Sequence, residues 1–202
     1  MNYKACFGCL MISLTCVSSE KFEKAIRNHK RQIVLIVASK DYQPVEYKDT
    51  KRVLNQAGFN VITVSPKSGY AYATDGTRTL VDKVLNKFDY KKYDGIFIIG
   101  GPGAHAELDT QLIYSTMRNA YSSGKAIGAI CYSPRILAKA GILEGKKATG
   151  WNDDNKLDDI FKQYQVIYNK QPVVTDGNII TADGPNSAQA FGKAIIKILK
   201  DK

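Results

Sequence analysis

The sequence predicts an α/β domain with a mostly parallel sheet. Three observations carry this. Short apolar runs alternate with amphipathic segments from Gln32 onward. The runs are apolar throughout rather than at every second residue, as in strands covered on both faces. Turn residues cluster at their carboxyl ends. Alternation of this kind implies helices packed on both sides of the sheet through right-handed crossovers.

The elements follow in order. Ile33–Ala38 is a β-branched run that reads as a buried strand. Val45–Ala57 reads as a helix stopped by Gly58, and Asn60–Ser65 as the second strand. Leu80–Phe88 is expected to form a short helix. Gly95–Ile99 is another buried strand, running into Gly100-Gly101-Pro102-Gly103. Thr110–Ser123 is a helix closed by Gly124. Ala126–Ile130 is a strand that leads directly into Cys131, and Pro134–Ala140 is a helix closed by Gly141. Ligands of open parallel sheets bind beyond the carboxyl ends of the strands. Ser39–Glu46, Gly100–His105 and Cys131–Ser133 all fall at that end, so a site is expected where they meet.

Length and composition fit one globular domain: 202 residues, 44% hydrophobic and 24% charged, enough to bury a core without disulfides. The net charge of +10 does not mark a nucleic-acid partner. Its lysines are interleaved with acids, as in Lys83, Lys87, Lys91 and Lys92 among Asp82, Asp89 and Asp94. There is no arginine-rich stripe and no nucleic-acid motif, so the balance reads as a solvated lysine-rich surface. Cys6, Cys9 and Cys16 precede the body, which holds Cys131 alone. The Cys6–Cys9 spacing lacks a second pair or a neighbouring histidine, so no metal is expected, and no cofactor.

Residues 1–19 carry a single charge, Lys4, followed by an apolar stretch from Ala5 to Val17 and then Ser18, Ser19 and Glu20. This is the pattern of a secretory signal peptide, too short to span a bilayer comfortably as a mature helix. Cleavage after Ser19 would leave Glu20 as the mature start. Cys16 opens a second outcome, lipid attachment, because Ser13-Leu14-Thr15-Cys16 approximates a lipoprotein signal with its leucine one place off. An uncleaved segment is the third. Export to a periplasm, with or without a membrane anchor at Cys16, is the expectation. Residues 20–31 read as a charged helical lead-in with Phe22 and Ile26 on one side, and residues 32–202 as the domain.

The stretch Gly128-Ala129-Ile130-Cys131-Tyr132-Ser133-Pro134 passes from strand to helix with almost no loop. A side chain at such a turn is pushed out above the sheet, as in the nucleophile elbow of hydrolases. Pro134 suits the first helical turn, and the helix N-terminus favours thiolate over thiol. Two readings stand on the residues alone: a buried strand-end cysteine, or a nucleophile.

Four segments then resemble the ThiJ/PfpI superfamily. They are Glu46, Asp94-Gly95-Ile96-Phe97-Ile98-Ile99-Gly100-Gly101, Ala129-Ile130-Cys131-Tyr132-Ser133-Pro134, and Thr181-Ala182-Asp183-Gly184-Pro185-Asn186-Ser187-Ala188. Order and spacing agree from about Gln32 to Lys200. The resemblance implies a flavodoxin-like three-layer sandwich. It implies that Cys131 is the reactive thiol, with Glu46 a buried carboxyl beside it and Gly101 and Tyr132 donating backbone N–H groups to an oxyanion pocket. Burial raises a carboxyl pKa, so Glu46 would stay protonated and donate to sulfur. Without the resemblance, Glu46 reads as an exposed acid at a helix start.

The sequence departs from the family at one point. Peptidase relatives carry histidine directly after the cysteine, where this chain has Tyr132, a poor general base near neutral pH. Other branches place a histidine near Thr149-Gly150-Trp151-Asn152, where none is present, and Asp153 or Asp154 reads more simply as a helix cap. His29 lies among charged residues and reads as surface. His105 falls where some peptidase relatives carry a glutamate that reaches a neighbouring subunit. It is the candidate third catalytic residue, or else a polar loop or interface residue. Gly100, Ser133 and Trp151 would complete the pocket, which Trp151, Tyr132 and His105 narrow toward small ligands. The expected activity is thiolate addition to small reactive carbonyls or their protein adducts, by a homodimer or larger homo-oligomer. The alternatives are a non-enzymatic stress chaperone or redox sensor using the same cysteine, and a cysteine peptidase.

Overall fold

A computed structural model describes residues 31–201. The expected export segment, the lead-in apart from Arg31, and His29 lie outside the described residues. The strands are β1 (Gln32–Ile36), β2 (Asn60–Ser65), β3 (Tyr70–Tyr72), β4 (Arg78–Leu80), β5 (Lys83–Val84), β6 (Gly95–Ile98), β7 (Ala126–Ile130), β8 (Lys147–Ala148), β9 (Ile167–Tyr168), β10 (Val173–Asp176) and β11 (Ile179–Ala182). The α-helices are α1 (Pro44–Gln56), α2 (Gln111–Ser122), α3 (Pro134–Lys139), α4 (Leu157–Gln163) and α5 (Ala188–Lys200).

Seven strands form one sheet in the order β10-β11-β7-β6-β1-β2-β5, parallel except for the edge pair β10–β11. Alternate residues of the central strands serve two cores. Val34, Ile36, Ile96, Ile98, Ile127 and Ala129 face Ile113 and Met117 of α2, Ile136 and Leu137 of α3, and Phe161 of α4. Ile33, Leu35, Phe97 and Ile130 face Tyr47 and Leu54 of α1 and Phe191, Ile195 and Leu199 of α5. The result is the expected three-layer sandwich. The two helices of the second face approach closely at Gly192, where an added Cβ would come 3.0 Å from Val53.

Two expectations are corrected. Leu80–Phe88 is not a helix. It holds the end of β4, the edge strand β5 and a 3-10 turn at Leu85–Lys87. Asp82 decides this: its side chain accepts from the Thr63 N–H (2.7 Å) and its own N–H donates to the Thr63 carbonyl (2.9 Å), pinning the chain along β2. Asp153 and Asp154 do not cap a helix through their carboxylates at its start. The N–H of Leu157, first in α4, donates instead to Asn152 Oδ1 at 2.8 Å. Asp154 is committed mainly to Arg135.

Candidate active site

The carboxyl ends of β1, β6 and β7 deliver the three expected segments to one place. Cys131 follows β7 with a left-handed backbone, φ 63°, a conformation unusual for a residue with a side chain. The turn is held from several sides. The Cys131 N–H donates to the Ala182 carbonyl of β11 (2.9 Å), and the Trp151 N–H donates to the Cys131 carbonyl (2.8 Å). The buried Ser133 hydroxyl donates to the Ile99 carbonyl at 3.0 Å. Strain of this kind persists only where the surroundings over-determine it. Cys131 is buried, and the backbone N–H groups of Gly101 and Tyr132 point at its sulfur.

Glu46 reaches the sulfur from the first turn of α1, which the Gln43 side chain caps by accepting from the N–H groups of Val45 (2.6 Å) and Glu46 (3.1 Å). It is 0% exposed, which excludes the exposed helix-start reading. Oε2 accepts from the Gly100 N–H at 2.9 Å. Oε1 finds no backbone or hydroxyl partner, and the carboxyl's remaining interaction is with the Cys131 thiol. Burial raises the Glu46 carboxyl from 4.5 to about 7, against hydrogen bonds from Cys131 and Gly100 that lower it. Burial also pushes the thiol up, followed by the charge and hydrogen bond of Glu46, while the Gly101 and Tyr132 N–H groups pull it down. Once Glu46 holds its proton, its charge no longer opposes a thiolate. Burial disfavours the charged form of both groups, so the carboxyl and the thiol compete for one site of charge.

Two glycines make this proximity possible. A Cβ on Gly100 would lie 2.6 Å from the Cys131 Cβ and 2.8 Å from Glu46 Oε2. Gly101 has φ 109°, and a Cβ there would lie 2.6 Å from both the Asp41 carbonyl oxygen and the Gln43 nitrogen.

On the outer side, Tyr132 carries its hydroxyl to His105 Nδ1 at 2.8 Å, with ring centroids 5.0 Å apart. His105 therefore meets the tyrosine that follows the nucleophile, and its Nδ1 sits on that hydroxyl instead of on the sulfur. It is presented by a π-helical turn, Ala104–Leu108, and is 62% exposed. The same Nδ1 lies 3.8 Å from Asp109, whose carboxylate is also bonded to the Tyr114 hydroxyl and the Lys139 ammonium.

Arg135 carried no signal of its own among the scattered basic residues. It is 2% exposed in α3, its guanidinium paired with both oxygens of Asp154 (2.6 and 2.8 Å) and donating to the Trp151 carbonyl at 3.1 Å. It lies over the rings of Tyr132 (4.7 Å) and Trp151 (5.4 Å). The pairing with Arg135 holds the Asp154 carboxyl down at about 2. Beyond Trp151 opens a cleft of about 320 Å³, lined among others by Asp153, Tyr168, Lys170 and Asp183. Of the residues expected at the site, Glu46, Gly101 and Tyr132 meet the Cys131 thiol and Gly100 lies against it. Ser133 and Trp151 hold the turn through the Ile99 and Cys131 carbonyls, and His105 joins through Tyr132.

Comparison with known proteins agrees with this fold. The chain is 32% identical over 192 residues to an uncharacterized protein of Methanocaldococcus jannaschii, covering 94% of this chain and 92% of that one. It is 26% identical over 167 residues to a deglycase of Pyrococcus horikoshii, covering 83% and 99%. It is 25% identical over 171 residues to a glutathione-independent glyoxalase of Caenorhabditis elegans, covering 85% and 90%. A ThiJ/PfpI domain protein from Brachyspira murdochii has the same fold, with TM-score 0.80 at 24% identity over 86% of this chain and 99% of that one. The family model described as DJ-1/PfpI matches residues 31–198, nearly the whole described domain, and the chain belongs to the DJ-1/PfpI family.

Proposed function

We propose that this protein is a Cys131-dependent enzyme acting on small reactive carbonyl compounds or their protein adducts. One observation carries the reading: a strained, buried cysteine whose sulfur is met by two backbone N–H groups and by the buried Glu46 carboxyl, which burial raises to about 7. Backbone donors of this kind stabilise an oxyanion forming beside the attacking sulfur. A deglycase and a glyoxalase among the relatives support the same chemical class. The same proposal includes a homo-oligomer, an exported location that is either periplasmic or lipid-anchored through Cys16, and glycated protein as an alternative substrate to the free carbonyl.

The test is methylglyoxal consumption by wild type and Cys131→Ser. Turnover by wild type that the serine variant loses is the expected result. Absence of Cys131-dependent turnover rejects the enzyme, and suppression of protein aggregation that persists in the serine variant would then point to a chaperone.

A further inference from the structure

We infer that the Tyr132 hydroxyl and the His105 imidazole form the proton relay of the Cys131 site, moving a proton between atoms of the adduct formed on sulfur. The inference rests on the proposed reading of Cys131 as a nucleophile toward carbonyl carbon. Turning over such an adduct needs a group that moves protons between the adduct and solvent. Glu46 has no route to solvent. It is fully buried against Gly100, with one oxygen on the Gly100 N–H and its remaining interaction with the thiol. Tyr132 and His105 are placed for the task. Their polar atoms are 2.8 Å apart, one follows the nucleophile in the chain, and the other is 62% exposed. A phenol alone is a weak base near neutral pH, but a hydrogen-bonded imidazole gives its proton somewhere to go. Asp109 lies 3.8 Å from the same nitrogen and is anchored by Lys139 and Tyr114. Tyr132 thus supplies, one residue past the cysteine and together with a second residue, what a histidine there would supply alone.

For a 2-oxoaldehyde the steps balance with water as the one co-reactant. Sulfur bonds to the aldehyde carbon, and the aldehyde oxygen takes a proton. The relay removes the hydrogen from that carbon. The electron pair moves toward the neighbouring carbonyl, whose oxygen is protonated to give an enediol. The relay returns its proton to the second carbon while the first oxygen releases one, leaving a thioester. Water then breaks the carbon–sulfur bond, releasing a 2-hydroxy acid and restoring the thiol.

The experiment compares Tyr132→Phe, His105→Gln and the double variant by two readouts: alkylation of Cys131 by iodoacetamide, and methylglyoxal turnover. We expect alkylation within about threefold of wild type and turnover lowered about 100-fold in each single variant. The double variant should fall no further than the weaker single one, because the two residues act as a unit. Added imidazole should restore part of the turnover of His105→Ala and none in Cys131→Ser. Unchanged turnover in either single variant overturns the relay. So does a parallel loss of alkylation and turnover, which marks a structural role, or failure of imidazole to rescue. A wild type without Cys131-dependent turnover overturns the proposed function and the relay with it; an active wild type with unaffected variants overturns the relay alone.

Discussion

At the scale of single residues, the proton held by Glu46 ties the state of the site to the stability of the domain. Its folded value, about 7, lies above the 4.5 of a free carboxyl. A group raised in this way stabilises the fold fully below its unfolded value and loses that contribution as pH rises through the folded one. Between pH 4.5 and about 7 the loss amounts to roughly 3 kcal/mol. Urea unfolding of wild type and Glu46→Gln across pH 4.5–8 should show wild type losing that much more than the glutamine variant; parallel curves would place the proton elsewhere. The position of Cys131 was legible in the sequence because an apolar strand runs into it and a proline-initiated helix follows, while its role stayed open between a buried strand-end thiol and a nucleophile. Glu46 was not legible, since its burial depends on Gly100 fifty-odd positions away, and only the family resemblance pointed to it. Arg135 stayed hidden for a related reason. In a chain of scattered cations one more basic residue looks like surface until Asp154 and two aromatic faces close around it.

At the scale of elements, α3 and the segment from Thr149 to Asp154 act as one latch. Trp151 ties the Cys131 carbonyl, and Arg135 ties the Trp151 carbonyl and Asp154. Removing the acid strands a guanidinium that is 98% sealed; removing the base leaves an aspartate that keeps a quarter of its side chain in solvent. Breaking a buried pair commonly costs about 3–5 kcal/mol, and the partial exposure of Asp154 reduces this to about 2. Asp154→Asn should therefore lower the urea midpoint clearly more than Arg135→Met; equal shifts would show that the pair does not hold the segment. Seven of the segments expected before Gly141 lie within a residue or two of their elements, because apolar periods outlast their surroundings, whereas the short hairpin β3–β4 carried no such period. The sequence reading failed at Leu80–Phe88, where Leu80, Val81, Val84 and Leu85 permit more than one period and the deciding bond comes from Asp82 to Thr63 on another strand.

At the scale of the whole molecule, parallel strands gather their carboxyl ends on one side, and this made the location of the site legible without any relative. Assembly and location are further expectations. Light scattering of the domain at micromolar concentration should show a dimer or larger species, and a strict monomer would refute the homo-oligomer. Mass spectrometry of protein from its native host should find a new terminus at Glu20 or a lipid-modified Cys16; an intact terminus in a cytoplasmic fraction would refute export. The Cys131 N–H is held by the carbonyl of Ala182, about fifty residues further along the chain. A ribosome adding roughly 5–20 residues per second spends several seconds between the two. Throughout that interval the thiol exists without the strand that fixes its turn, so the nascent chain carries an ordinary cysteine. Its unusual surroundings are assembled only once β11 has been made.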